Sequence, residues 1–150
     1  KKQENIEINI NVDAYIPKEY ISDSKQKIEI YKKIMASKEN DYSDLIDELI
    51  DRFGEPTIEV MNLIKISQIK DKAGKLGINK IIQKKNVINS FFEDEGYFKG
   101  DNVFKLIDKY PGKIKIRSGK NPVIGIKTTN IDFYQKVLDD FIFILKEKNR

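Results

Sequence analysis

The spacing of apolar residues changes at Gly77, and this change does most to restrict the fold of the chain. Between residue 24 and Gly77, apolar side chains recur at the three- and four-residue intervals of amphipathic helices. After Gly77 they alternate with polar ones in INKIIQ and VINSFF, as in half-buried strands. Runs of helices followed by hairpins are typical of the α+β class. The chain is therefore predicted to be α+β rather than α/β.

The predicted order of elements is an N-terminal strand and three helices followed by β-β-α-β-β-α, in a single compact domain. A chain of 150 residues buries roughly 70% of its unfolded surface, which is enough for such a domain. Two hairpins are predicted, one with a tight Lys85-Asn86 turn and one that turns around residues 118–122. The strand and the helices are predicted at residues 6–12, 24–36, 42–53, 56–76 and 103–110, and after a cap at Thr129 or Asn130.

The chain contains no cysteine and no histidine. It therefore lacks the commonest general base, the commonest zinc ligand and a thiolate nucleophile. It also lacks glycine-rich phosphate loops and the calcium-loop pattern. We expect no catalytic residue, no metal site and no cofactor within the chain, and carboxylate catalysis stays open as a weaker hypothesis. Because no apolar run approaches about 18 residues, we expect no membrane contact. The absence of cysteine fits a reducing cytoplasm, and we expect a monomer because the predicted helices and hairpins supply a complete core.

The segment DYSDLIDELIDRFGEP, at residues 41–56, predicts a helix with one apolar and one acidic side. At about 100° per residue, its apolar side chains fall within an arc of roughly 140°. Gly54 suits a helix C-cap, and Pro56 prevents continuation of the helix. The apolar arc, which we expect to face the core, consists of Leu45, Ile46, Leu49, Ile50 and Phe53.

The acidic side of this helix requires a separate explanation. Asp44, Glu48 and Asp51 are spaced by four and three residues and share one face, with Arg52 at its edge. Asp51 lies in the last turn, where the helix macrodipole disfavours an anion by roughly 0.3–1 kcal/mol. An acid in this place indicates a use outside the helix, most simply contact with a basic partner surface. A solvated helix face is the alternative interpretation.

Charge is distributed unevenly along the chain. Residues 1–60 contain 9 Lys or Arg against 14 Asp or Glu, whereas residues 61–150 contain 19 against 10. In KIKIRSGK, Lys113, Lys115 and Arg117 alternate with isoleucines, and Lys120 follows in the turn. Such a strand is typical of a surface that contacts nucleic-acid phosphates. It is equally typical of an edge strand that lysines protect from aggregation.

Several longer stretches occur in a fixed order: DAYIPKEYISD, IEIYKKI, ELIDRFGEP and KLGINKI. In order and spacing they resemble the C-terminal domain of the bacterial transcription-repair coupling factors, the Mfd or TRCF family. That family has a Y-I-P-x-x-Y-I-x-D start, an I-x-x-Y-K-R-I helix, an E-L-x-D-R-F-G-x-x-P element and a K-L-G-I turn. Here Lys33 replaces the usual arginine, and Pro56 follows Gly54 at a shorter spacing. The resemblance covers residues 13–82 closely and continues beyond residue 87 in element order.

The resemblance implies a regulatory role in transcription-coupled repair. The parent protein of this family is an ATP-driven DNA translocase that removes stalled RNA polymerase and recruits the repair protein UvrA. Its motor, with ATP and Mg, lies upstream, so residues 1–12 are expected to be a strand or linker from the motor domain. Residues 13–150 are expected to be the C-terminal domain itself. This domain is expected to be non-catalytic and to dock on the N-terminal repair module, where it masks the UvrA-binding surface.

The resemblance also assigns the docking role to particular residues. Glu48, Asp51 and Arg52 match the family's E-L-x-D-R-F-G element, and Asp44 lies on the same helix face. The expected partners are the N-terminal repair module of the same polypeptide and, indirectly, UvrA, RNA polymerase and the DNA that the parent binds. The alternative function is a nucleic-acid-binding module that uses the basic strand at residues 113–120.

Overall fold

The computed structural model describes residues 6–148, and it confirms the α+β prediction and the predicted order of elements. The helices are α1 (Ser24–Ala36), α2 (Tyr42–Phe53), α3 (Ile58–Leu76), α4 (Asn102–Lys109) and α5 (Ile131–Lys148). The strands are β1 (Glu7–Asn9), β2 (Ile78–Lys84), β3 (Val87–Phe92), β4 (Ile114–Arg117) and β5 (Val123–Lys127), with a short 3-10 helix at Glu95–Phe98.

The strands form one sheet in the order β1-β2-β3-β5-β4. β1 runs parallel to β2, and all the other neighbours are antiparallel. Both predicted hairpins are present, and Lys85 in the first turn has a φ of +56°. The strand at the start of the chain therefore pairs with this sheet, where Ile8 is the partner of Ile81.

The described chain divides into two compact units, and α3 contributes to both of them. The helical unit is Val12–Asp71, and the sheet unit consists of residues 6–11 and 72–148. No helix among residues 6–148 is long and apolar enough to cross a membrane.

The helical unit is built around aliphatic side chains from α1, α2 and α3. Two buried hydroxyls, those of Tyr42 and Ser67, lie 2.7 Å apart within this core. The Ile34 carbonyl accepts from Ser67 at 2.7 Å and the Ser37 carbonyl lies 2.9 Å from the Tyr42 hydroxyl, so these buried polar groups are satisfied. The core consists of Ile16, Ile21, Ile30, Ile34, Tyr42, Leu45, Leu49, Val60, Leu63 and Ile64.

The face that α1 turns toward this core differs from the pattern of its sequence. The sequence predicts an inner face formed by Ile28, Tyr31, Ile34 and Met35. This prediction is wrong for two of them, because Ile28 is 57% exposed and Tyr31 49% exposed. The buried residues of α1 are Ile30 and Ile34. Because α1 has apolar residues on two sides, its periodicity alone does not select the inner face.

The sheet unit packs α5 against one face of the sheet, which we call the inner face. Ser90 on β3 and Tyr134 on α5 are both buried, and their hydroxyls share a hydrogen bond. The rings of Phe92 and Phe141 meet edge to face at 6.1 Å between centroids. Burial raises the pKa of the Tyr134 phenol, so this group stays protonated within the core.

Gly77 joins α3 to β2 and meets two requirements that exclude other residues. Its φ is +68°, a conformation that L side chains rarely adopt. A Cβ atom at this position would also lie 2.6 Å from Cε2 of the Tyr97 ring. The change of hydrophobic period in the sequence therefore coincides with a glycine that the backbone and the packing both require.

Candidate functional site

The acidic face of α2 is formed as the sequence predicts. Tyr42, Leu45 and Leu49 are buried, and Asp44 and Asp51 are exposed on the opposite side. Three residues of the predicted apolar arc are only partly covered, since Ile46 and Phe53 are half-buried and Ile50 is 37% exposed. The helix thus fixes one side in the core and presents carboxylates on the other.

Glu48 is the centre of a small ion-pair network. Its Oε1 lies 2.6 Å from Nζ of Lys33 on α1, and its Oε2 lies 2.8 Å from Nη1 of Arg52. These hydrogen bonds, first the one from Lys33 and then the one from Arg52, lower the pKa of the Glu48 carboxyl. With 29% of its side chain exposed, Glu48 links α1 to α2 at the protein surface.

Arg52 is held in place by two neighbours. Besides its pair with Glu48, its guanidinium lies over the Phe53 ring, 4.9 Å from the centroid. Phe53 in turn packs against Tyr20 with ring centroids 5.9 Å apart. The Tyr20 hydroxyl donates to the Gly54 carbonyl at 2.7 Å and so closes the end of the helix. The C-terminal turn of α2 is therefore a fixed surface with an ordered cation.

Asp44 and Asp51 differ from Glu48 because neither forms an ion pair with any residue from 6 to 148. The structure therefore brings Glu48 and Arg52 together and leaves Asp44 and Asp51 free on the same helix. The sequence predicted the common face but missed Lys33, which lies fifteen residues before Glu48 on another helix. Only the tertiary structure joins these two side chains.

A shallow groove runs between α1 and the first half of α2. It encloses about 380 Å³ and opens to solvent. Its lining combines charged side chains of both signs with Ser37 and the apolar Ala36 and Leu45. The charged residues are Lys33, Asp41, Asp44 and Glu48, and they suit polar contacts with another protein domain.

The basic strand is β4, and it lies at the edge of the sheet. Lys113, Lys115, Arg117 and Lys120 are all exposed, and none forms an ion pair within the described part of the chain. This placement agrees with the interpretation of an edge strand guarded by lysines. It leaves the nucleic-acid interpretation open, because the same cations are free to contact phosphates.

The described residues contain no group of three or more acidic side chains placed to hold a metal ion. The residues EDEGYFKGDN after β3 contain the 3-10 helix and lead to the start of α4. The Asp94 side chain accepts a hydrogen bond from the Gly96 N–H. Phe92 and Phe98 pack edge to face as part of the core, as their sequence context indicates. Phe91, which we expected in the core, instead lies half-buried between Lys80 and Arg117.

Comparison with known proteins identifies the family. The TRCF domain model matches residues 10–103. The transcription-repair-coupling factor of Staphylococcus aureus (strain USA300) is 33% identical over 144 residues, which are 94% of this chain and 12% of that protein. The Bacillus subtilis (strain 168) factor is 34% identical over 126 residues, 81% of this chain and 11% of that protein. The chain therefore spans about one eighth of the length of these relatives.

A solved structure, described as the C-terminal domain of transcription-repair coupling factor, superposes with a TM-score of 0.79 at 33% identity. The match covers 95% of this chain and 92% of that one. These similarities confirm the resemblance inferred from the four motifs. Because the family model matches more than half of the sequence, the chain belongs to the TRCF domain family.

Proposed function

We propose that this chain is a non-catalytic regulatory domain of a DNA translocase in transcription-coupled repair. In this proposal α2 docks its acidic face on a basic surface of the N-terminal repair module of the same polypeptide. Docking masks the surface that UvrA recognises, and release exposes it. ATP hydrolysis and Mg belong to the upstream motor. The observation that supports this proposal best is the pair of free carboxylates, Asp44 and Asp51, on a helix fixed from behind.

The position of Asp51 supports an external role for its charge. It lies in the last turn of α2, two residues before the helix ends at Phe53. The macrodipole disfavours an anion there by roughly 0.3–1 kcal/mol, and no cation within residues 6–148 pairs with it. A basic partner surface would provide the compensation that the domain itself lacks.

The surroundings of the free acids are pre-organised. The Lys33–Glu48–Arg52 network joins α2 to α1, and Tyr20 holds the helix end through the Gly54 carbonyl. Ordering costs paid during folding do not have to be paid again on docking. In this arrangement Glu48 positions Arg52 through their ion pair, and Asp44 and Asp51 attract the basic partner surface.

A docking contact of this kind has to be weak enough to open. Within one polypeptide, a tether raises the effective concentration of the partner to the millimolar range. A dissociation constant between about 1 µM and 0.1 mM for the separated pieces is then sufficient to keep the contact closed. Polar contacts of moderate area, as at other interfaces between domains, fall in this range.

The direct test is a calorimetric titration of the chain with the N-terminal repair module of its parent protein. We expect binding that weakens with salt, and a loss of at least about tenfold in affinity, or about 1.4 kcal/mol, for Asp44→Lys with Asp51→Lys. Glu48 is left unchanged, because a lysine there would place a third cation between Lys33 and Arg52.

The matched control reverses Glu93 and Asp108, two exposed acids of the sheet unit, to lysine. It changes the net charge by the same amount and should bind like the wild type. Equal losses in both variants would mean that net charge alone governs binding. Unchanged affinity in the Asp44/Asp51 variant would mean that this helix face is only a solvated surface.

A further inference from the structure

The face of the sheet opposite α5, which we call the outer face, collects side chains from four strands. Strand register places Lys80 beside Phe91, and Arg117 beside Val123. Cross-strand partners point to the same side of a sheet, and alternate residues along a strand share a side. The cations of the outer face are therefore Lys80, Lys84, Lys115, Arg117 and Lys127, which together we call the cationic sheet face.

The charge of this face is not balanced by the rest of the described chain. Glu7 on β1 is the carboxylate that the register places on the same side, beside Lys80. None of the five cations forms an ion pair with any residue from 6 to 148. Lys84, Lys115, Arg117 and Lys127 are exposed. The face thus has a large positive charge that residues 6–148 do not compensate, on strands joined by backbone hydrogen bonds.

At the centre of the face, an aromatic ring lies between two of the cations, and no bulky side chain projects. The Lys80 ammonium lies 4.6 Å, and the Arg117 guanidinium 6.0 Å, from the centroid of the Phe91 ring. Such cation–π contacts order long side chains that would otherwise be mobile. Gly125 has no side chain, and a Cβ there would lie 2.8 Å from Oδ1 of Asn89. An amide group therefore covers the middle of the face where a bulky side chain would otherwise project.

We propose that the cationic sheet face binds the phosphate backbone of a nucleic acid without reading its sequence. The five cations lie on β2, β5 and β4, with β3 between β2 and β5. Because neighbouring strands are about 4.8 Å apart, the cations match a polyanion that crosses the sheet. The ring of Phe91 already contacts two cations of the face. It therefore positions these cations and does not serve as a stacking platform for bases. Binding of this kind depends on counterion release and is therefore steeply sensitive to salt.

The composition of the face favours a nucleic acid over an acidic protein. Protein interfaces have an apolar centre and are depleted in lysine, whereas nucleic-acid interfaces are polar and strongly positive. Here the centre is Gly125 under the Asn89 amide, and the apolar residues Ile82, Val87 and Phe91 are each partly covered. The face lacks the exposed apolar anchor that is common at tight protein interfaces.

This inference goes beyond the docking proposal and uses none of its residues. It also changes the earlier hypothesis of a single basic strand, because Lys115 and Arg117 belong to the face whereas Lys120 lies in the turn after β4. Most of the site therefore comes from β2, β3 and β5. Failure of one proposal would leave the other standing.

The test is a fluorescence anisotropy titration of the 150-residue chain with labelled single-stranded and duplex DNA of mixed sequence. We expect binding at about 50 mM salt that weakens steeply by about 200 mM. The variant Lys84→Glu, Lys115→Glu, Lys127→Glu removes exposed cations that contact no ring, and it should lose at least about tenfold in affinity at the lower salt. The neutral Lys→Gln triple should lower the salt slope by about 0.9 per cation on duplex and about 0.7 on single strands.

The matched control replaces Lys99, Lys105 and Lys146, three exposed lysines outside the sheet, with glutamate. Wild-type-like binding by this control, with loss in the face variant, supports the proposal, and the two DNA forms show which backbone geometry fits. Equal loss in both variants, or no binding at the lower salt, overturns it. Tighter binding of polyglutamate, lost in the same face variant, reassigns the face to an acidic protein. Circular dichroism verifies folding, and the Gln triple provides the same test if the Glu variant unfolds.

Discussion

The acidic face of α2 and the cationic sheet face both expose charge that no residue from 6 to 148 neutralises, but they differ in how that charge is arranged. On α2 the unpaired negative charge is concentrated in Asp44 and Asp51, while the neighbouring Glu48 is paired with Lys33 and Arg52. On the sheet, cations spread over several strands and none is paired within residues 6–148. A narrow charged helix beside an ordered arginine suits a folded domain, whereas a broad positive face suits an extended polyanion.

Each of the two faces depends on a rigid core beneath it. Removing a core side chain should therefore give the largest change in the free energy of unfolding. Leu49 lies in the core behind the acidic face, and Ile88 lies on the inner face of the sheet. Both are fully buried. Leu49→Ala and Ile88→Ala should each lower the free energy of unfolding by about 2–5 kcal/mol, through lost burial and a residual cavity. Urea unfolding measures both. A loss below about 1 kcal/mol at either site would show that the face above it is not rigidly supported.

A smaller loss is expected at the end of the acidic helix. Phe53 is half-buried and contacts Tyr20 and Arg52 at its rim, so it is not the full core aromatic that its sequence position indicates. Phe53→Ala should therefore cost about 1–3 kcal/mol, below the range for a fully buried ring. The same unfolding experiment, with Leu49→Ala as the reference, ranks the two positions. A larger loss at Phe53 than at Leu49 would reverse the assignment of the inner face.

The stabilisation that the Glu48 ion pairs provide depends on pH, and this dependence distinguishes the acidic face of α2 from the cationic sheet face. Because the folded-state pKa of Glu48 is lowered, its stabilisation is fully present above the unfolded value of about 4.3 and is lost as pH falls through the lower folded value. At neutral pH, Glu48→Gln should lower the free energy of unfolding by up to about 1 kcal/mol, as for other exposed ion pairs.

The difference between wild type and Glu48→Gln should then shrink as pH falls below about 4, and it should also shrink in high salt. Unfolding curves at neutral and acidic pH, measured on both proteins, test this expectation. A difference that stays constant with pH would show that Glu48 stabilises the helix pair by packing and not by charge.

Local sequence patterns predicted the elements better than the surfaces. The hairpins and α2 have strong local signals, such as the Lys85-Asn86 turn and the stop at Gly54. The inner face of α1 was predicted wrongly in part, because apolar residues lie on two of its sides. The pairing of β1 with β2 joins residues about seventy positions apart, and no local pattern encodes such a pair.

The sites show the same limit. Spacing on one helix identified the common face of Asp44, Glu48 and Asp51, but the pairing of Glu48 with Lys33 depends on how two helices pack. The basic strand was visible as an alternation, whereas the cationic sheet face exists only once residues 80–127 are folded into a sheet. Charge on one element is therefore readable from sequence, and charge assembled from several elements is not.

The smallest effect on stability is expected for the variant that should matter most for function. Asp44→Lys places a cation in the first turn of α2, and Asp51→Lys places one in the last turn, so their macrodipole effects oppose each other. The double variant should change the free energy of unfolding by less than about 0.5 kcal/mol. A larger loss, seen in a thermal melt of the chain, would mean that one of these carboxylates supports the fold.

In the docking that we propose, the acidic face of α2 keeps the UvrA-binding surface of the parent protein covered. UvrA binding by the full-length parent protein tests this proposal. The account predicts that Asp44→Lys with Asp51→Lys raises affinity for UvrA by at least about tenfold without a stalled polymerase, or about 1.4 kcal/mol. The Glu93/Asp108 control should bind UvrA as weakly as the wild type does. If the Asp44/Asp51 variant folds normally and binds UvrA no better than wild type, the acidic face does not hold the resting protein closed.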